Sequence, residues 1–343
     1  MSPLPMGSGS GHKLAVQRAA RSEVELDPFD PVLDSPVFDL SVLGTQPPLR
    51  RLPPPEAHGP SNVDPFANIN ACTTEHLDQL AHILEVRGAQ PWQSKMRARC
   101  FKAARLAEGM SIVEIGCGTG VVARELARFA GRTGRVVGID LSPALLDHAA
   151  RRPSPPGASK IEYVLGDAYN LPFPGGYFDA SCSFTLLAHL DHPDRAIREM
   201  TRVTGRTVMV FDQDYQTLVF ENSNTRLTRK ILQHGADYNV VDGWCGRKLP
   251  GMLVRHGLED VGCCPFVYCE RDSQSYLITI AERFAALALR HGVITEPEGI
   301  AWVKELHDRS AEGTFFASLN YYFAFGTARH DVRSRTTTME IPS

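Results

Sequence analysis

The sequence has no run approaching the roughly 18 uninterrupted apolar residues that a membrane-spanning helix needs. Its first residues, Met1 to Gly11, lack a charged head followed by an apolar stretch, so no secretory signal is expected. Charge of either sign is not in excess: 36 Lys and Arg stand against 39 Asp and Glu, for a net charge of -3. The basic footprint that would hold nucleic-acid phosphates or an anionic membrane is therefore missing. No CxxC pair occurs among the eight cysteines, which are scattered and in several cases sit inside apolar strand-like runs. That excludes zinc-ligand spacing and points to buried, reduced thiols in a cytoplasmic protein. No metal is expected, and no nucleic-acid or membrane partner.

Proline is abundant in one place only. Residues 1–65 hold 12 of the 24 prolines. Proline lacks the backbone donor that helices and inner strands use, so this arm should have little regular structure. Its stretch Phe29 to Leu43 carries many large apolar groups. Two readings stand: a flexible extension, or an arm that covers the active site or contributes to a homodimer.

From residue 66 the pattern becomes regular. Leu77, Leu80, Ala81 and Leu84 fall on one helical stripe within Glu75–Arg87. A second helix is predicted from Pro91 to Leu106, since proline suits a first helical position. Strands are predicted at 111–115, 135–139, 161–165, 178–184 and 207–211. Helices between them are predicted at 121–130, 143–150 and 193–203. Alternation of this kind argues for an α/β fold with a doubly wound, mostly parallel sheet. Residues 223–258 read as helical, 260–270 and 314–326 as two final strands. Two helices at 273–311 lie between those strands. The expected division is an arm (1–65), N-terminal helices (66–110), a core (111–272), a helical insertion (273–311), and a last strand with a tail (312–343).

The informative run is Val113-Glu114-Ile115-Gly116-Cys117-Gly118-Thr119-Gly120, which closes a strand and opens a helix. Glycines at alternate positions let the backbone turn sharply and approach a ligand closely. The following helix turns free N–H groups toward that ligand. A dinucleotide fingerprint would place its third glycine one residue later. Asp140 ends the next strand, 24 residues after Gly116, where a carboxylate can accept hydrogen bonds from two ribose hydroxyls. A third strand ends at Gly166-Asp167-Ala168, followed by Leu171-Pro172-Phe173 and Phe178-Asp179. Next come Leu186-Leu187-Ala188-His189-Leu190 and Arg198-Glu199-Met200.

These motifs, over roughly residues 91–212, resemble the class I (Rossmann-like) S-adenosylmethionine-dependent methyltransferases. They are most similar to the ubiquinone and menaquinone C-methyltransferase type and its natural-product relatives. The resemblance implies a seven-stranded sheet and S-adenosylmethionine as cofactor. It implies that the glycine loop wraps the methionine part, that Leu141 packs on adenine and that Asp167 takes the adenine amino group. The expected cofactor set is Glu114, Gly116, Cys117, Gly118, Gly120, Asp140, Leu141, Asp167, Ala168 and Ser183. Arg97 or Arg99 could add a fork for the methionine carboxylate, or simply face solvent.

Methyl transfer is an in-line displacement, so positioning and water exclusion dominate. A base is needed only when the acceptor must lose a proton. His189, Asp214 and Tyr215 are the candidates. His189 follows the fourth strand, and Asp214 and Tyr215, with Asp212, follow the fifth. Phe284, Leu287, Leu289 and Trp302 of the insertion either line the mouth or form the insertion's own core. The expected reaction is methyl transfer to an O, N, C or S atom of a small molecule, in secondary metabolism or quinone-like biosynthesis. The alternatives are a peptide, protein or RNA methyltransferase, a non-catalytic cofactor-binding homologue, and a nicotinamide oxidoreductase, which the glycine spacing disfavours.

Overall fold

The computed structural model describes residues 64–271 and 276–328. The proline-rich stretch 1–63, and with it nearly all of the expected arm, lies outside the described residues, as does the tail beyond 328. Two N-terminal helices, α1 (Thr74–Gly88) and α2 (Pro91–Ala103), precede the sheet. Then follow β1 (Ser111–Ile115), α3 (Val121–Ala130), β2 (Arg135–Asp140), α4 (Pro143–Ala150) and β3 (Ile161–Leu165). The second half runs β4 (Phe178–Phe184), α5 (Pro193–Val203), β5 (Thr204–Phe220), α6 (Thr225–Tyr238), α7 (Cys245–Arg255), β6 (Glu259–Glu270), α8 (Tyr276–Arg290), α9 (Glu296–Ala311) and β7 (Ala317–Thr327).

The seven strands form one sheet in the order β3-β2-β1-β4-β5-β7-β6. The first five are parallel, and β7 is antiparallel to both β5 and β6. The central strands β1 and β4 are buried almost throughout, as expected for strands covered on both faces. Helix α3 presents Val122, Ala123, Leu126, Ala127 and Ala130 to the sheet, an apolar stripe recurring at each helical turn. The Ser142 hydroxyl accepts from Leu145 N and Pro143 follows it, which fixes the start of α4 just beyond Asp140.

Strand β5 is longer than the sequence predicts. It pairs in parallel with β4 up to Phe211 and continues, antiparallel to β7, as far as Phe220. Asp212, Asp214 and Tyr215 are therefore strand residues with buried side chains.

The insertion helices pack differently from one of the two readings above. Phe284, Leu287 and Trp302 are buried between helices and none lines the cavity described below, while Leu289 is partly exposed on the outside. They form the core of α6, α8 and α9. An alanine Cβ at Gly235 on α6 would lie 1.9 Å from a ring carbon of Phe284. The ring is fully buried and cannot swing aside freely. Gly235→Ala is expected to destabilise the fold by about 1–3 kcal/mol through overpacking. The gain in helix propensity, about 1 kcal/mol, does not offset that. Urea unfolding measures the difference, and a variant as stable as the parent would show that the α6–α8 contact is soft.

Candidate active site

One cavity of about 240 Å³ opens along the carboxyl ends of β1, β2 and β4. Parallel sheets bind ligands at that end because loops there can diverge around a crevice. The glycine loop forms one wall. Gly116 has φ +72°, and a Cβ there would lie 2.8 Å from the Leu186 side chain. Gly120 has φ +75°, and its Cβ would fall 2.3 Å from the Tyr163 hydroxyl. A side chain at either position would meet both strain and a clash, so the sharp turn from β1 into α3 depends on glycine. Gly116, Cys117 and Gly118 line the cavity, whereas Gly120 does not; it holds the turn closed from behind.

Asp140 sits at the end of β2, facing the cavity. Its Oδ2 accepts from Gly118 N at 2.8 Å and its Oδ1 from Ser142 N at 2.9 Å. These bonds fix the carboxylate, and each oxygen retains a lone pair for a ligand hydroxyl. Burial raises its proton affinity, and the backbone N–H groups of Ser142, Gly118 and Leu141 work against that rise. Leu141, half exposed, Asp167 and Ala168 line the same end. Asp167 Oδ1 accepts from Tyr169 N, which orients its other oxygen.

Glu114 is buried at the cavity wall, and its Oε2 has no hydrogen-bond partner among the described residues. Burial pushes its carboxyl well above the usual range; Arg97 opposes this and Asp140 adds to it. The Thr119 hydroxyl, in the same lining, is likewise buried and unpartnered among the described residues. Orphaned polar groups of this kind are costly unless a ligand completes them. A group with an ammonium, a carboxylate, a ribose and an adenine fits this arrangement. Glu114 would take the ammonium, Thr119 the carboxylate, Asp140 the ribose, and Leu141 with Asp167 the base.

The cavity is also lined by His189, on a short 3-10 turn after β4. Its Nδ1 lies 2.8 Å from Asp64 Oδ2, with the Asp64 side chain 1 % exposed and the imidazole 12 %. Asp64 Oδ1 accepts from Phe66 N and Ala67 N, and the Phe66 ring packs on the imidazole at 5.0 Å. Asp212, fully buried, lies outside the cavity lining. Its Oδ2 accepts from Ala188 N and so anchors the turn that bears His189. Burial raises the Asp212 pKa to about 6, with His189 pulling it down.

Several expected site residues are placed elsewhere. Asp214 is buried in an ion pair with Arg247 of α7 and caps Gln216 N. It ties α7 to β5 and does not reach the cavity. Tyr215 is buried against Phe284, 5.7 Å between ring centres, because β5 continues through it. Neither is in position to act on a substrate bound in the cavity. Ser183 is buried beside the site but does not line it; Phe184 and Thr185, which follow it, do. Arg97 does line the wall, yet its guanidinium is already engaged. Nε is 2.6 Å from Glu125, Nη2 donates to Gly88 O at 2.7 Å, and Nη1 donates to Gln93. It cannot offer a free fork to a carboxylate. Arg99 is exposed and lies over the Phe266 ring.

One cavity residue and one residue bonded to a cavity residue escape sequence reasoning. Asp64 falls in the stretch assigned to the arm, and a lone Asp-Pro gives no hint of a histidine 125 residues away. Arg87 is the last basic residue of a helix, where solvent exposure is the ordinary expectation. Instead it enters the cavity and donates from Nη2 to Thr185 Oγ1 at 3.2 Å.

Comparison with known proteins agrees with this geometry. A methyltransferase-domain family model matches residues 112–206, from β1 to the start of β5. A 37.1 kDa protein of Streptomyces fradiae transposon Tn4556, itself uncharacterized, is 28% identical over 257 residues, which are 74% of this chain and 70% of that one. The demethylmenaquinone methyltransferase of Desulfitobacterium hafniense is 34% identical over 119 residues, 34% of this chain and 47% of its own length. A ubiquinone/menaquinone biosynthesis C-methyltransferase of Ectopseudomonas oleovorans is 38% identical over 96 residues, 28% of this chain and 56% of its own. The chain thus spans about half the length of the two quinone enzymes. The matched residues 112–206 carry β1 to β4, the glycine loop and the start of β5, and this part of the chain is similar to a methyltransferase domain.

Proposed function

We propose that the protein transfers a methyl group to a small-molecule acceptor that loses a proton in the reaction, in the biosynthesis of a secondary metabolite or a quinone-like compound. One observation carries this reading. A single cavity joins the cofactor cradle of Glu114, Asp140 and Asp167 to a histidine oriented by a buried carboxylate.

S-adenosylmethionine supplies an activated methyl group and leaves as S-adenosylhomocysteine. The chain's part is to orient, to exclude water and to take the proton. A carboxylate only accepts, so the Asp64 contact places the imidazole proton on Nδ1. Nε2 is then the basic nitrogen, and no described residue bonds it. It removes the acceptor's proton as the new bond to carbon forms. Phe66, Phe184 and Phe211 wall the chamber and keep water from the reacting atoms. The quinone-pathway relatives support an aromatic acceptor.

Calorimetry with S-adenosylmethionine, S-adenosylhomocysteine and a nicotinamide dinucleotide is the first test. Micromolar binding of the first two alone is expected. Binding of the dinucleotide in their place would overturn the reading.

A further inference from the structure

We propose that Arg87 forms an anion-binding point in the acceptor chamber, and that the acceptor is an aromatic acid recognised through its carboxylate. The proposal rests on the methyl-transfer reading and adds the substrate class to it.

The guanidinium of Arg87 differs from the others near the cavity. Arg97 is paired with Glu125 at 2.6 Å, Arg124 with Glu85 at 2.8 Å, and Arg152 with Glu85 at 3.3 Å. Arg87 has no carboxylate partner among the described residues. Its neighbours are the Thr185 hydroxyl and the phenols of Tyr276, Tyr321 and Tyr215. The buried Asp212 carboxylate feels the charge of Arg87 but forms no ion pair with it, so the guanidinium has no directly bonded anion among the described residues. Arginine offers five donors in a planar fork; the Thr185 hydroxyl and the Tyr276 phenol engage two of them and leave the others for a carboxylate.

The position selects the acceptor over the cofactor. Thr185 lies beyond the end of β4, and the three phenols come from β5, α8 and β7. The cofactor cradle is built on β1, β2 and β3, and Thr119 provides a donor there for the methionine carboxylate. Phe184 and Phe211, stacked at 5.4 Å, line the same cavity as Arg87, and Phe211 stacks in turn on Tyr321 at 5.3 Å. An aromatic ring in that cavity, with its carboxylate on Arg87, satisfies both the apolar surface and the charge.

The test compares benzoate with its neutral isostere benzamide, by titration of the full chain with and without S-adenosylhomocysteine. Benzoate is expected to bind at least about tenfold more tightly, as one charged hydrogen-bonded pair provides. The preference should fall to within about twofold in Arg87→Gln and persist in part in Arg87→Lys. S-adenosylhomocysteine affinity should stay within about twofold in both variants, which also shows that they fold. No benzoate preference in the parent, or a preference that survives Arg87→Gln, overturns the proposal. So does a large loss of S-adenosylhomocysteine affinity in Arg87→Gln with 5′-methylthioadenosine unaffected, because the guanidinium would then hold the cofactor's own carboxylate. A parent that binds benzoate selectively but not S-adenosylhomocysteine would refute the methyl-transfer reading and leave the Arg87 site standing.

Discussion

Replacing His189 with glutamine is expected to lower kcat by roughly 10²- to 10⁴-fold, the usual worth of a positioned general base. Binding of S-adenosylhomocysteine should remain close to that of the parent, because His189 is bonded to Asp64 and not to Asp140 or Asp167. Asp64→Asn should lose nearly as much. An amide can donate to Nδ1, which would draw the ring proton onto Nε2 and leave no basic nitrogen facing the acceptor. Its melting temperature separates this from misfolding, since the amide oxygen can still cap Phe66 N and Ala67 N. An unchanged kcat in His189→Gln would mean that the acceptor reacts without losing its proton to this group.

The second large effect is expected at Asp140. Each hydrogen bond from a ligand hydroxyl to a carboxylate is worth about 1.5–3 kcal/mol. Losing two would weaken S-adenosylhomocysteine binding on the order of 100-fold or more. Asp140→Ala also frees Gly118 N and Ser142 N, so the glycine loop loses a tie to β2. Asp140→Asn should fall between the two, keeping an acceptor but not the charge. Calorimetry reads the change directly, and an alanine variant with parental affinity would remove the ribose assignment.

Much of the fold was legible in the sequence because the signals were local. The limits of β1, α3, β3 and α5 follow from runs ended by glycine or opened by proline. Strand β5 was misjudged for a physical reason. Asp212-Gln213-Asp214 reads as a polar loop, since isolated carboxylates are poor strand formers. In the fold each is answered from far away, Asp212 by Ala188 N and Asp214 by Arg247. The strand can then run on through them. The cofactor half of the site was readable for the same reason as the fold, being made of strand ends and one loop. The acceptor half was not. Asp64 reaches His189, and Arg87 reaches Thr185, across about a hundred positions of sequence, and the role of Arg97 depends on Glu125, one helix away.

The placement of β7 also governs how the chain can be made. Val210 on β5 faces Ala324 on β7, 114 positions later, and β6 joins the sheet only through β7. A growing chain therefore completes β1 to β5 and then waits, through the synthesis of four helices, with one long strand edge unpaired. Strand β6 emerges in that interval with nothing to pair with. Open edges of this kind invite association between chains, and contacts so distant in sequence form slowly. The last turn of assembly is a zipper that closes in both directions at once, and a nascent chain stalled before residue 317 would be the species most in need of a chaperone.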